Sequence, residues 1–205
     1  LYLFIRFSFP PFPISFQSFL PAGLRIISGK YKGRTIRPPA NLPVRPTTDF
    51  AKTGLFNMLE NRYDISGFNC LDLFSGTGSI SLELISRGCR EVTSVDLDFG
   101  CIQFLKETTK LLDITNLHPI RSDVLRFCKS HHTKYDLIFA DPPFDLDVRN
   151  LLHDIIFNRK LLSEKGVFIM EHSSREKYDQ LAGFDFSRSY GNVTFSFFVN
   201  LEPSL

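Results

Sequence analysis

At 205 residues, with 43% apolar and 22% charged side chains, the chain has the size of one domain with room for a small extension, and its composition excludes a wholly disordered, collagen-like or membrane-embedded protein. The net charge of +2 conceals a segregation: residues 1–48 carry seven basic groups and no acid, and the remaining 157 residues carry 17 basic and 22 acidic groups, a balance of −5. Such a basic end is the electrostatic footprint of a polyanion-binding arm, the alternative being a solvated basic loop.

The first 22 residues are rich in Phe and hold Pro10, Pro11, Pro13 and Pro21, which fits neither a spanning helix of about 20 unbroken apolar residues nor a signal peptide. An upstream extension outside the fold is expected over 1–23, with no membrane association. From Leu24, LRIISGKYKGRTI alternates about Gly29 and Gly33, which predicts a basic hairpin with strands near 25–28 and 33–37. PPANLPVRP follows as a stiff connector, so 24–45 reads as hairpin and connector. Thr47 or Thr48 then caps a helix to about Arg62 with apolar positions Phe50, Leu55, Met58 and Leu59.

After Gly67 the pattern becomes regular: strand CLDLF (70–74), helix 78–87, strand EVTSVD (91–96), helix 98–112, strand HPIRS (118–122), helix 123–131, strand DLIFA (136–140), helix 146–160 and strand GVFIM (166–170). Two further alternating runs flank Gly191-Asn192 as a hairpin at the sheet edge. Short apolar strands separated by helices indicate an α/β, doubly wound, mostly parallel sheet, seven-stranded once the terminal hairpin is added. The main domain spans 46–200, with a tail over 201–205. Cys70, Cys89, Cys101 and Cys128 form no C-x-x-C pair and His131 and His132 are adjacent, so no disulfide framework and no metal are expected, and the usage fits a reducing cytoplasm.

In such a sheet the ligand crevice lies outside the carboxyl ends of the strands. The first loop, DLFSGTGS (72–79), places glycines at 76 and 78 for a sharp turn and close ligand approach, with Ser81 where a dinucleotide fingerprint wants a third small residue. The second strand ends in Asp96, 18 residues after Gly78, a carboxylate placed to accept ribose hydroxyls of either NAD or S-adenosylmethionine. After the third strand Asp123 either accepts from an adenine amino group or caps the next helix. The fourth strand runs into Asp141, Pro142, Pro143 and Phe144. Prolines lack N–H groups and stiffen the turn, so the Asp141 carboxylate and the Pro142 carbonyl suit the two donors of an exocyclic amine, with Phe144 stacked on its base. The competing reading is a strand-ending turn with a core Phe.

The combination DLFSGTG, VDLD, SDV and DPPF resembles the class I S-adenosylmethionine-dependent methyltransferases, a Rossmann-like fold, that modify exocyclic amino groups of bases. LRIISGKYKGRTI followed by RPTTDFAKTGLFNML resembles the amino-terminal signature of the RsmD family, over about residues 24–200. That resemblance implies methylation of a guanine N2 amino group in small-subunit ribosomal RNA, free or within the assembled particle, by a cytoplasmic monomer. It implies S-adenosylmethionine held by Thr47, Thr48, Asp49, Asp72, Phe74, Ser75, Gly76, Thr77, Gly78, Asp96, Leu97, Asp123 and Val124. RNA phosphates would fall to Arg25, Lys30, Lys32, Arg34, Arg37 and Arg45, and catalysis to residues 141–144. Thr53 departs from the pattern, standing where an acidic residue is expected, and Leu24 stands where members commonly begin with Met.

Three rivals follow from the same residues. An adenine-N6 methyltransferase shares the D-P-P-F logic, but so short a chain has no separate target-recognition domain. A nicotinamide oxidoreductase uses the first two loops and has no use for the fourth. A non-catalytic RNA-binding module explains only the basic arm.

Overall fold

The computed structural model describes residues 23–42 and 48–200. Two short strands, β1 (Leu24–Arg25) and β2 (Thr35–Ile36), precede α1 (Asp49–Arg62), β3 (Asn69–Leu73), α2 (Ser79–Ser86), β4 (Glu91–Asp96), α3 (Phe99–Leu111), β5 (Leu117–Arg121) and α4 (Val124–Ser130). Then come β6 (Tyr135–Ala140), α5 (Arg149–Asn158), β7 (Leu162–Ser173), β8 (Phe184–Tyr190) and β9 (Val193–Val199). The large sheet has the order β5-β4-β3-β6-β7-β9-β8. Its first five strands are parallel, and β9 enters antiparallel between β7 and β8. This is the doubly wound seven-stranded sheet expected.

Strand residues divide alternately between two cores, as a pleat covered on both faces requires. Cys70, Leu137 and Phe139 join one core with α1, α2 and α3; Leu71, Leu73, Ile138 and Ala140 join the other with α4 and α5. From β3 the chain winds to β4 on one side and later returns to β6 on the other. That reversal opens a crevice at the carboxyl ends of β3 and β6.

Several expected boundaries shift. The paired hairpin strands are 24–25 and 35–36 rather than 25–28 and 33–37. Between them the backbone turns onto α2: Ile27 and Ser28 donate to the fully buried Glu83 carboxylate at 2.8 and 3.0 Å, and Lys30 N–H donates to the Ser86 carbonyl at 2.7 Å. The approach is so close that a Cβ on Gly29 would lie 1.8 Å from the Ser86 oxygen. Phe50, expected in the core, is 70% exposed, and Phe56 is buried instead. Helix α5 starts at Arg149, not near 146, because the proline loop continues through a Leu146 N–H bond to the Pro143 carbonyl. Strand β7 begins four residues before Gly166 because Leu162 already pairs with Tyr135 across a bulge.

Candidate functional site at the carboxyl ends of the strands

The loop after β3 is bent by three left-handed residues, Phe74 (φ 58°), Gly76 (φ 51°) and Gly78 (φ 80°). For Phe74 this conformation is uncommon and is held by its surroundings. Ser75 N–H donates to the Val95 carbonyl at 3.1 Å, and Gly76 N–H to Asp96 Oδ2 at 2.7 Å. Asp96 Oδ1 accepts from Asp98 N–H at 2.8 Å. The bend is thus pinned over the end of β4, and each Asp96 oxygen keeps a lone pair free for a ligand hydroxyl. Ser75 Oγ is buried with no hydrogen-bond partner among the described residues. An orphan hydroxyl beside an underused carboxylate suits a ribose-bearing cofactor, so the residues present fit a nucleoside.

Asp72 lies beneath the bend, 1% exposed. Its Oδ2 accepts from the Ser81 N–H at 3.0 Å and from the Ser81 hydroxyl, which also meets Ser94 Oγ at 2.5 Å. Ser81 is therefore a carboxylate partner rather than a mere small residue. Burial pushes the Asp72 carboxyl up to about 7, against the Ser81 bonds and with the nearby charges of Asp141 and Asp96. Thr77 is buried beside it.

The remaining expected cofactor residues divide. Thr48 caps α1, its Oγ1 accepting from Ala51 N–H at 3.2 Å, and the Asp49 side chain is exposed. Thr53, the departure from the family pattern, donates to the Asp49 carbonyl at 2.6 Å. Leu97 is exposed at the crevice rim. Asp123 caps α4 by accepting from Arg126 N–H at 2.8 Å, and the Val124 side chain is buried in the core. The cap occupies Asp123 Oδ1. Thr47 and Arg45 lie outside the described residues, as do 1–22 and 201–205.

The fourth loop adjoins the bend directly: Asp141 N–H donates to the Leu73 carbonyl at 3.3 Å. Ala140 is in register with Leu73 on one side and with Met170 on the other, so the next residues, Phe74, Asp141 and Glu171, stand together at the strand ends. The Pro142 carbonyl is not free, contrary to expectation. Arg149, 2% exposed, donates from Nη2 to Pro142 O at 2.8 Å and Pro143 O at 3.4 Å, and from Nη1 to Leu146 O at 3.3 Å. The Pro143 and Leu146 carbonyls also accept from the N–H groups of Leu146 and Val148, whereas the buried Pro142 carbonyl has the guanidinium fork as its donor. One Pro142 lone pair remains for a ligand. Phe144 is exposed, 5.8 Å from the Arg149 guanidinium carbon.

Arg149 and Glu171 escaped the sequence reading. One signal was available: a cation in the first turn of a helix opposes the macrodipole, so another interaction must hold it there. Arg149 Nε and Glu171 Oε2 are both buried without a hydrogen-bond partner among the described residues, and Glu176 stands 4.0 Å from that Nε. Burial raises the Asp141 carboxyl to about 6 while Arg149 pulls it down. Burial, reinforced by Asp141 and opposed by Arg149, raises Glu171 to about 9.

Between its ordinary 4.5 and about 9, Glu171 keeps a proton in the fold that it loses on unfolding. Its contribution to stability is therefore full below the lower value and disappears as pH rises through the upper one. Glu171→Gln removes this dependence. The variant is expected to be more stable than the wild type in urea unfolding at pH 8, by a margin that shrinks towards pH 5; an equal margin at both would mean the carboxylate is ionised in the fold.

The basic hairpin residues Arg25, Lys30, Lys32, Arg34 and Arg37 are all exposed. They do not share one location. Lys52 Nζ, buried, donates to the Arg25 carbonyl at 2.6 Å and to Ser79 Oγ at 3.2 Å, which ties Arg25 to the crevice end of α1 and α2. Lys30 instead sits at the far end of α2, beside Ser86.

A family model described as conserved hypothetical protein 95 matches residues 24–199. A protein of Buchnera aphidicola, ribosomal RNA small subunit methyltransferase D, is 34% identical over 155 residues, 75% of this chain and 79% of the relative. The solved structure of yhhF from Escherichia coli superposes with a TM-score of 0.75 at 26% identity, covering 87% of this chain and 98% of that one. A Thermus thermophilus 16S rRNA N2 methyltransferase, RsmC, solved with AdoMet and guanosine, shares the fold at a TM-score of 0.70 and 23% identity, over 86% of this chain and 49% of its own.

Proposed function

The chain belongs to the RsmD family, whose model is described as conserved hypothetical protein 95, and from that membership we propose that it transfers a methyl group from S-adenosylmethionine to the exocyclic N2 amino group of a guanine in small-subunit ribosomal RNA. The observation that carries this reading is the 3.3 Å bond from Asp141 N–H to the Leu73 carbonyl. It sets an amine-accepting carboxylate against the bend that suits a nucleoside. The names of the relatives supply the substrate class.

In this reading S-adenosylmethionine, when bound, supplies an electrophilic sulfonium methyl group. Asp96 and Ser75 would hold its ribose beside the glycine bend. An aromatic amine is a poor nucleophile because its lone pair is delocalised into the ring, so the protein acts chiefly by placement. Alignment of this kind is worth up to about 7–11 kcal/mol. The Asp141 carboxylate accepts one amine N–H and the free lone pair of the Pro142 carbonyl the other, which stabilises positive charge growing on nitrogen, and the carboxylate takes up the proton that nitrogen loses as its bond to the methyl carbon replaces the bond from sulfur. Phe144 stacks on the base. The target base leaves its helix at a cost of a few kcal/mol, offset by phosphate contacts of the hairpin.

The test is methyl-labelled S-adenosylmethionine with naked ribosomal RNA and with small-subunit particles, followed by nucleoside digestion. Label in N2-methylguanosine is expected; label in adenosine, or none, overturns the reading. Reversal of Arg25 and Arg37 to Glu is expected to raise the RNA KM and flatten its salt dependence more than reversal of Lys30 and Lys32, with cofactor affinity unchanged. Equal effects of the two pairs would mean that RNA runs along the whole hairpin.

A further inference from the structure

Resting on that reading of the substrate as RNA, we propose that the cleft between the first two turns of α1 and the end of β8 is a second RNA subsite, which takes an unstacked nucleobase beside the target guanine. The cleft is shallow and open to solvent, with a volume of about 400 Å³, and is lined by Asp49, Phe50, Thr53, Gly54, Asn57 and Tyr190. Its two rings meet edge to face, centroids 5.7 Å apart at 78°. Helical periodicity assigns Phe50 to the core, yet the ring stands 70% exposed. An isolated exposed ring is ordinary; one that forms the wall of a polar-rimmed cleft is a stacking platform.

The cleft is built rather than incidental. Tyr190 packs on Phe195 at 6.1 Å, and Phe195 on Phe139 at 6.3 Å, two residues before Asp141. Strand β8 runs parallel to β6 and β7, since two antiparallel pairings separate it from β7. Its last residue, Tyr190, therefore lies at the same end of the sheet as the fourth loop. Gly54 permits the contact: a Cβ there would stand 2.3 Å from the Tyr190 ring. The Thr53 hydroxyl, which donates to the Asp49 carbonyl, and the exposed Asn57 amide offer hydrogen-bonding groups to a base edge.

The neighbouring basic hairpin, rather than the lining, whose one charged group is Asp49, favours a nucleobase over an apolar peptide side chain. The Lys52 bond to the Arg25 carbonyl fastens the basic hairpin to the same helix that carries Phe50. A strand whose phosphates meet Arg25 and Arg37 crosses the start of α1, and a base splayed from it reaches the cleft. Stacking of this kind tolerates any base, so the subsite adds affinity and orientation rather than sequence choice.

The experiment compares Phe50→Ala and Phe50→Trp with the wild type in methyl transfer to naked ribosomal RNA and to small-subunit particles, with cofactor affinity and melting temperature measured alongside. Phe50→Ala is expected to raise the RNA KM about tenfold with kcat and cofactor affinity unchanged, and Phe50→Trp, which restores a stacking face, to return KM to or below the wild-type value. An RNA KM unchanged in Phe50→Ala overturns the proposal. So does a loss confined to cofactor affinity, which would assign the cleft to the cofactor, or a defect seen only with assembled particles, which would assign it to a ribosomal protein. Should the wild type transfer no methyl group to either substrate, the reading of the reaction has failed, and fluorescence anisotropy of labelled RNA with the same three proteins decides the subsite: tenfold weaker binding by Phe50→Ala supports it, equal binding overturns it.

Discussion

Asp141→Asn is expected to lower kcat for methyl transfer by about 10²- to 10³-fold, the range seen when one preorganised hydrogen-bonding group is removed from a reacting centre. The amide keeps the shape of the carboxylate, and cofactor affinity should stay close to that of the wild type because the bend is pinned by Asp96 and the Val95 carbonyl. The pH profile separates charge from shape. Burial raises the Asp141 carboxyl from 3.8 to about 6. Below that value the folded enzyme carries it protonated, and it no longer accepts from the amine. In the wild type kcat should therefore fall tenfold per unit of pH below about 6, whereas the residual activity of Asp141→Asn should be flat across pH 5–8. Stability moves the other way: the wild type loses, between 3.8 and about 6, the stabilisation that its protonated carboxyl gives the fold. A variant with wild-type turnover would remove the fourth loop from the chemistry.

Arg149→Met should be the most destabilising single change at the site. The fork bonds three carbonyls of one loop, and methionine replaces the stem but none of the donors. The Pro143 and Leu146 carbonyls keep the N–H groups of Leu146 and Val148, so only the buried Pro142 carbonyl is left unpaired, and a loss of about 1–3 kcal/mol in chemical unfolding is expected. Activity should suffer separately. Arg149 is the cation that pulls the Asp141 carboxyl down; without it the acid limb of the profile should move above 6. Arg149→Lys divides the two roles. It restores a charge without the planar fork, so the acid limb should return towards 6 while kcat stays low. If lysine restored kcat as well, the guanidinium would act through its charge alone and not by holding the Pro142 carbonyl.

The regular elements were legible because their causes are local. Thr48 stands before a helix with a free hydroxyl and caps it; Gly191-Asn192 turns a hairpin; the alternation of CLDLF and DLIFA with helical segments forces a sheet buried on both faces. Most element ends lie within one or two residues of expectation. The misses have long-range causes. Hairpin residues Ile27 and Ser28 leave β pairing for a carboxylate 55 or 56 positions away, and no local pattern announces that partner. Phe50 obeys helical periodicity and still faces outward, since what covers a helix face depends on which strand lies opposite.

For the site, the chain alone determined the types of group and their order: a glycine bend, a carboxylate one strand later, and an acceptor loop with an aromatic ring. Local chemistry accounts for each, because φ restriction at proline, left-handed freedom at glycine and strand period act within a few residues. Only the tertiary structure decided which lone pairs remain free. Sheet order set Asp141 beside Leu73 and Glu171, and the fold buried Arg149 behind the proline carbonyls. Hydrogen-bond partners and desolvation depend on what packing brings within 3 to 4 Å, and that is a property of the whole fold rather than of any segment.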